Sequence, residues 1–327
     1  MKFSLFVLTF LVSLGSVFGQ QLPQYSQFSR NQFMANPAAA GLYDFIDVTV
    51  SGRWQWLGVS DAPRTSYLAF SVPLKFNPVS YNPGIRTSGP APTPEIKTGK
   101  LKHTVGGQIV ADQYGAFTNI SFSGTYALHL PMTKKMNLAF GLKSGISNNS
   151  FNSDKAQVLS IIDPGAVFDN TYSTYAANNA NKNIMHVNAG LYLYGSGFYV
   201  GIAADQLTRD LVEFGSASAN FDPQMHFNLM TGYRIELNSE LTLTPNVMVK
   251  YMRPAPPSID LNAILDYQKW LWFGLGYRHT DAIIGLIGMN LSNQFKMGYS
   301  YDFSISKMNN FTTGGHELTL GIMLGRK

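Results

Sequence analysis

Six histidines, His103, His129, His186, His226, His279 and His316, are the residues most able to do chemistry in this cysteine-free chain. No two of them stand at a ligand spacing such as His-x3-His, and there is no thiolate, so a zinc site has no support. His279 with Asp281, and His316 with Glu317, could each pair an imidazole with a carboxylate, because a hydrolytic triad is recognised in space and not by chain order. The sequence has no nucleophile-elbow pattern, however, and rim histidines and aspartates are ordinarily solvated. Asp154, Asp163, Asp169, Asp205, Asp210 and Asp222 lack the regular D-x-[DN]-x-[DN]-G ladder of a calcium loop and read as solvated loop tips. Tyr172, Tyr175, Phe214 and Phe221 on the same loops fit a contact surface better than water. No catalytic residue, cofactor or metal is expected.

The elements that carry these residues are strands. In residues 294–303, Phe295, Met297, Tyr299, Tyr301 and Phe303 alternate with Gln294, Lys296, Gly298, Ser300 and Asp302, giving one aromatic face and one polar face. Similar alternation recurs from about residue 45 to the C-terminus. It places Ile120, Phe122 and Tyr126 opposite Ser121, Ser123 and Thr125, and Leu318, Leu320 and Ile322 opposite Glu317, Thr319 and Gly321. A soluble sandwich could show one such strand. A polar lumen and an apolar outside at strand after strand predict a transmembrane antiparallel β-barrel.

Composition agrees. Charged residues are 13%, against roughly 25% in ordinary soluble proteins. Aromatics are also 13%, while the mean hydropathy is only −0.03. A barrel gives this balance, because apolar and polar residues cancel in any window. A helical membrane protein would instead show apolar runs of about twenty residues, and none follows the N-terminus. Lys2, the apolar run from Phe3 to Leu14 and small residues to Gly19 predict a secretory signal, residues 1–19, with Val17 and Gly19 before the cut. The net charge of +5 shows no clustered basic patch, so nucleic acid is not an expected partner.

Residues 20–43 precede the barrel. Phe28, Phe33 and Met34 need burial, so this segment is expected to pack at or in the periplasmic mouth. The barrel, residues 44–327, reads as about fourteen strands near 45–57, 65–75, 104–112, 117–130, 136–147, 184–194, 198–204, 225–237, 240–252, 258–267, 270–278, 283–291, 294–303 and 315–325. Short periplasmic turns and long outer loops are the bacterial rule. With the N-terminus inside, residues 131–135, 195–197, 238–239, 268–269 and 292–293 are the short turns, and 148–183, 205–224 and 304–314 the long loops. Residues 76–103 break the rule. They carry five prolines with Lys97, Lys100 and Lys102, which suggests either a passive insertion or a basic arm for a periplasmic partner. Lumen-facing Lys143, Arg234, Lys250, Arg278 and Lys296, with Glu236, Asp302 and Glu317, would pair across the lumen or favour anions. Trp54, Trp56, Trp270 and Trp272 suit aromatic belts in contact with outer-membrane lipid.

The chain resembles the PorP/SprF family of outer-membrane proteins, associated with type IX secretion and gliding motility in Bacteroidota. Four stretches carry the resemblance: Pro23-Gln24-Tyr25-Ser26-Gln27-Phe28, Asn36-Pro37-Ala38-Ala39-Ala40-Gly41, Arg53-Trp54-Gln55-Trp56 with Ala62-Pro63-Arg64-Thr65, and Gly298-Tyr299-Ser300-Tyr301-Asp302 with Gly314-Gly315-His316-Glu317-Leu318. The 76–103 insertion and the Leu324-Gly325-Arg326-Lys327 ending depart from the expected pattern. The resemblance implies a non-enzymatic role in surface delivery of large adhesin-like proteins with a C-terminal sorting domain, linked to a periplasmic lipoprotein ring and its motor. It supplies no catalytic residues. A barrel of this size is too narrow for a folded adhesin, which favours an anchor over a conduit. The other reading is a plugged outer-membrane channel for small hydrophobic solutes.

Overall fold

The computed structural model describes residues 23–74, 96–156, 172–173, 181–208, 224–253, 255–268 and 270–325. The expected signal peptide, Tyr175, Phe214, Phe221, most of the proline-rich connection and the loop aspartates Asp163, Asp169, Asp210 and Asp222 lie outside them.

The chain forms β1 (Ile46–Trp54), β2 (Arg64–Pro73), β3 (Lys102–Tyr114), β4 (Phe117–Thr133), β5 (Met136–Phe151), β6 (Asn181–Gly195) and β7 (Phe198–Asp205). There follow β8 (His226–Tyr233, resuming at Ile235–Glu236), β9 (Leu241–Met252), β10 (Ser258–Tyr267), β11 (Leu271–Arg278), β12 (Ala282–Asn290), β13 (Phe295–Ser304) and β14 (Gly315–Leu324). Each strand pairs antiparallel with its sequence neighbours, and β14 pairs with β1 from Ile46↔Leu324 to Trp54↔His316. The result is a closed barrel of 14 strands with no free sheet edge. We call the end where β1 starts and β14 finishes proximal, and the other end distal.

Closure works because every strand keeps its alternation. In β8, His226, Asn228 and Met230 are buried while Phe227, Leu229 and Tyr233 are exposed. The same parity exposes Phe122, Ile146 and Leu275 on the outside, Leu275 at 72%, making an apolar band that only lipid can cover. The band has a visible distal limit. Outward residues of β5 up to Ile146 are apolar except Ser144, and the next, Asn148, donates to the side chains of Asn181 and Asn183 on β6 at 2.6 and 2.7 Å. β4, β5 and β6 have 17, 16 and 15 residues, against about 9–11 for a membrane crossing, so their distal ends rise beyond the band.

The strand expectations hold, with differences at the margins. β5 and β6 run longer than their alternation suggested, because residues 148–150 and 181–183 at their distal ends are polar on both faces; β3 gains two residues at each end and β4 continues proximally to Thr133. The expected single strand 225–237 is interrupted at Arg234. Short turns fall at the proximal end, at 134–135, 196–197, 268–270 and 291–294, and the long connections 152–180, 206–225 and 305–314 at the distal end. The distal end also has tight turns, at 115–116 and 279–281.

Candidate functional site

The lumen is occupied by the chain's own N-terminal segment, residues 23–45. Phe28 packs with Tyr192, Tyr194, Tyr199, Met230 and Met248, and Phe33 and Met34 with Tyr67, Ala69 and Ala127. Lumen-facing glycines make the fit possible. A Cβ on Gly141 would stand 2.2 Å from the Ala38 nitrogen, and one on Gly190 2.1 Å from Asn36 Oδ1. Asn36 fixes the segment locally and to the wall at once. Its Oδ1 accepts from the Ala38 N–H at 2.9 Å, capping the short helix Pro37–Ala39, while its Nδ2 donates to the carbonyls of Leu191 and Ile202 at 3.0 and 3.2 Å.

The segment's other backbone groups are met in turn, as buried backbone requires. Gln108 Nε2 donates to Phe33 O at 2.9 Å, and Asn228 Nδ2 to Ala35 O at 3.3 Å. His129 Nε2 lies 2.7 Å from Ala40 O, which can only accept, so the neutral ring carries its proton there and Nδ1 accepts from the Tyr194 hydroxyl at 2.9 Å. The hydroxyl of Tyr192 donates to Gln32 Oε1.

At the distal side the segment is latched by buried charge. The Ser26 N–H donates to Glu317 Oε2 at 2.7 Å and the Gln27 N–H to Oε1 at 3.3 Å, so one carboxylate takes two consecutive amides. The Ser26 hydroxyl accepts from Arg53 Nη1 at 2.5 Å and Arg278 Nη2 at 3.1 Å, and donates to the Asp302 carboxylate at 2.8 Å. Arg53 pairs with Asp302 at 2.6 Å and with Glu317 at 3.2 Å; Arg278 pairs with Asp302 at 3.1 Å and with Asp260 at 2.8 Å. Lys250 reaches Asp260 at 2.9 Å. Three cations thus face three carboxylates. Such a cluster contributes little net stability, because desolvation offsets attraction, but it strongly penalises loss of one member.

Two further clamps lie nearer the proximal end. Arg30 pairs with Asp266 at 2.9 Å and stacks over Trp272, its Cζ 4.5 Å from the ring centroid. Lys102, 8% exposed, pairs with Asp44 at 2.7 Å and donates to Leu42 O at 3.3 Å. From Ser26 to Asp44 the segment therefore runs from the distal latch to the proximal clamp.

Several sequence expectations need revision here. Trp272 faces the lumen and not a lipid belt, because its position on β11 has inward parity and Arg30 covers it. Asp205 is not a solvated loop tip. It ends β7, is buried, and its carboxylate accepts from Asn188 and Asn228 at 2.5 and 2.8 Å. Neither histidine–carboxylate pair forms: strand alternation separates His316 from Glu317, and in the turn after β11 the His279 and Asp281 side chains take different partners. His316 points outward to the Tyr299 hydroxyl at 2.6 Å while Glu317 points inward, and His279 stacks near Tyr277 while Asp281 reaches Arg278 at 3.4 Å. Lys102 is engaged with Asp44, whereas Lys97 is 60% exposed and 3.9 Å from the same carboxylate. Lys100 is exposed, and its carbonyl accepts from Asn137 at 2.9 Å. Tyr172 stands 6.3 Å from the Phe151 ring. Of the charges expected in the lumen, Lys250, Arg278, Asp302 and Glu317 join the latch, Lys143 lies 4.0 Å from Asp205, Lys296 pairs with Asp47 at 2.8 Å, and Glu236 is exposed. Asp260 and Arg30 were missed, although inward parity along 258–267 was a signal for Asp260. No group of histidines, aspartates and glutamates among the described residues could hold a metal ion.

A closed barrel, an apolar outer band and a lumen latched on its own N-terminal segment define a plugged outer-membrane β-barrel. The sequence matches the family model of the type IX secretion system membrane protein PorP/SprF over residues 17–322, and the chain belongs to that family. The protein is accordingly an outer-membrane component of type IX secretion. No curated protein matches the sequence. Similar solved structures include Acinetobacter baumannii Omp33 (8% identity, 87% of this chain and 100% of that chain, TM-score 0.46). A Pseudomonas aeruginosa FadL homologue is similar at 10% identity, over 94% and 95% of the two chains, with a TM-score of 0.47. The translocator domain of the Neisseria meningitidis autotransporter NalP is similar at 12% identity, over 91% and 95%, with a TM-score of 0.41.

Proposed function

We propose that the protein works by binding at its two ends: it anchors, or helps release, a large secreted surface protein with a C-terminal sorting domain at the distal end. The proximal end then faces the periplasm and joins the lipoprotein ring and motor of the secretion machinery. The observation that carries this reading is the filled lumen. Residues 23–45 are fixed from the Ser26 latch to the Asp44–Lys102 pair, so cargo has no path through the barrel. The distal loops bearing Tyr172, Tyr175, Phe214 and Phe221 are the proposed cargo side. The exposed Lys97 and Lys100 are the proposed periplasmic contact.

The test is co-purification. A C-terminally tagged protein, extracted gently from native outer membranes, should bring down a large surface protein with a sorting domain, or ring lipoproteins. A lone barrel with a measurable single-channel conductance would instead favour the small-solute channel and overturn the anchor.

A further inference from the structure

Beside the latch, the distal lumen opens into a cleft of about 180 Å³ between Pro23–Tyr25 of the N-terminal segment and the inner faces of β3 to β9. Of the latch, Lys250 also lines this space, held by Asp260 at 2.9 Å. The cleft's charged groups are already matched. Lys143 donates to Gln108 Oε1 at 3.2 Å, Asp205 is held by Asn188 and Asn228, and Asp112 accepts from Thr65 Oγ1 at 2.5 Å. A charged ligand would therefore find no free counter-charge among them.

Two amide atoms are different. Asn149 Nδ2 and Gln206 Oε1 are buried, line the cleft, and have neither a hydrogen-bond partner nor an ion pair among the described residues, whereas Lys250 Nζ has its pair with Asp260. Buried polar atoms are nearly always paired, so water or a ligand entering the cleft would complete each of them. Asn149 is oriented by Asn119, whose Nδ2 donates to its Oδ1 at 2.6 Å. Gln206 is held by its N–H to Asn188 Oδ1 at 3.1 Å, with φ at 59°, a left-handed value that a non-glycine residue adopts only at a cost. One free atom donates and the other accepts, as a partner with peptide units requires. The apolar part of the lining includes Met34, Ile184, Met248 and Met252. Methionine walls adapt to varied aliphatic side chains.

We propose that this distal vestibule binds an uncharged, extended polypeptide segment, with Asn149 and Gln206 pairing with its peptide units and the methionine–isoleucine wall taking an aliphatic side chain. This rests on the anchor reading where the segment belongs to the secreted cargo. A neutral saccharide shares the hydrogen-bonding character but makes no use of the aliphatic wall.

The absence of cysteine permits a direct test. Ser121→Cys, a near-isosteric change in the vestibule lining, gives the full-length purified protein a single thiol for disulfide capture. Folding is checked by the heat-dependent gel shift. The probes are blocked hexapeptides, each carrying one disulfide-capped cysteine, in uncharged aliphatic, acidic and basic pools, together with 1-thioglucose disulfide. Capture of the uncharged aliphatic pool should exceed each other probe by roughly tenfold, and fall by about that factor when Asn149→Ala and Gln206→Ala are added. Preference for thioglucose or a charged pool, or no preference at all, overturns the proposal. Selective peptide capture without cargo in the co-purification would sink the anchor reading alone. Cargo that still co-purifies unchanged with Asn149→Ala/Gln206→Ala would sink the vestibule alone.

Discussion

The backbone N–H of Ser26 donates to the Glu317 carboxylate at 2.7 Å, across 291 positions of sequence. This bond ties the beginning of the lumen segment to the last strand of the barrel. Glu317 is 0% exposed and its carboxyl group lies 3.2 Å from Arg53. Glu317→Ala leaves Arg53 short of a counter-charge and two amides without an acceptor. Breaking a buried pair in this way costs about 3–5 kcal/mol. Ser26→Ala should cost less, about 1–3 kcal/mol, because Arg53 and Arg278 keep Asp302. The check is the rate of trypsin cleavage at Arg30 in detergent. Fast cleavage in Glu317→Ala with an intact barrel is expected, and wild-type protection there would refute the latch.

The glycine contacts predict a separable defect. Gly141→Leu drives a side chain into the Pro37–Ala38 backbone, since even a Cβ would lie 2.2 Å from the Ala38 nitrogen. The barrel wall is otherwise unaffected, so the strain falls on the lumen segment. In planar bilayers the wild type should be nearly silent, Gly141→Leu should show unstable conductance, and deletion of residues 24–44 a steady open level. Equal conductance in all three would mean that the segment does not obstruct ions.

The barrel was legible in the sequence because lipid and lumen impose opposite chemistries on alternate residues, and strands such as 294–303 obey that rule without exception. The latch was only half legible. Parity placed Arg278, Asp302 and Glu317 inside, and the resembling motifs drew notice to Ser26 and Arg53, yet nothing local says that these stretches meet. Their convergence is set by barrel closure, through the Arg53↔Glu317 register of β1 and β14. Trp272 misled because tryptophan near a strand end suits a lipid belt equally well, and the Arg30 that stacks over it lies 242 positions away in sequence. Asp260 was overlooked because one aspartate on an inner face gives no hint of its partners.

Lysines 97 and 102 should behave differently despite sharing Asp44. Lys102 is buried, and its removal leaves Leu42 O and Asp44 without their cation, so Lys102→Ala should loosen the proximal end of the segment and speed amide exchange at residues 42–45. Lys97 is 60% exposed and 3.9 Å from the carboxylate, a surface contact of about 0–1 kcal/mol. Lys97→Ala should leave exchange unchanged. Equal effects would show that both lysines merely screen Asp44.

The lipid band makes a position-dependent prediction. Leu275 is 72% exposed in the middle of β11, so Leu275→Arg should destabilise the folded barrel by about 2–4 kcal/mol in lipid. Asn148 lies past the apolar limit, among the Asn181 and Asn183 amides, where an arginine should cost about 0–1 kcal/mol. Urea titrations of barrels folded in vesicles measure both. Similar costs at the two sites would move the membrane boundary.

Sidedness can be settled by cysteine labelling, because any introduced thiol is the only one in the protein. Asp154 is exposed in the distal loop after β5, and Lys134 is exposed in the proximal turn between β4 and β5. If the proximal end faces the periplasm, a membrane-impermeant maleimide on intact cells should label Asp154→Cys at once and Lys134→Cys only after lysis. Gln24 lines the distal vestibule, so Gln24→Cys should follow Asp154→Cys, more slowly because the reagent must enter the cleft. Labelling of Gln24→Cys together with Lys134→Cys would mean that the N-terminal segment enters from the periplasmic side alone. Surface labelling would mean that one continuous segment joins the cargo-facing vestibule to the Asp44–Lys102 clamp, so that a pull at one face can be felt at the other.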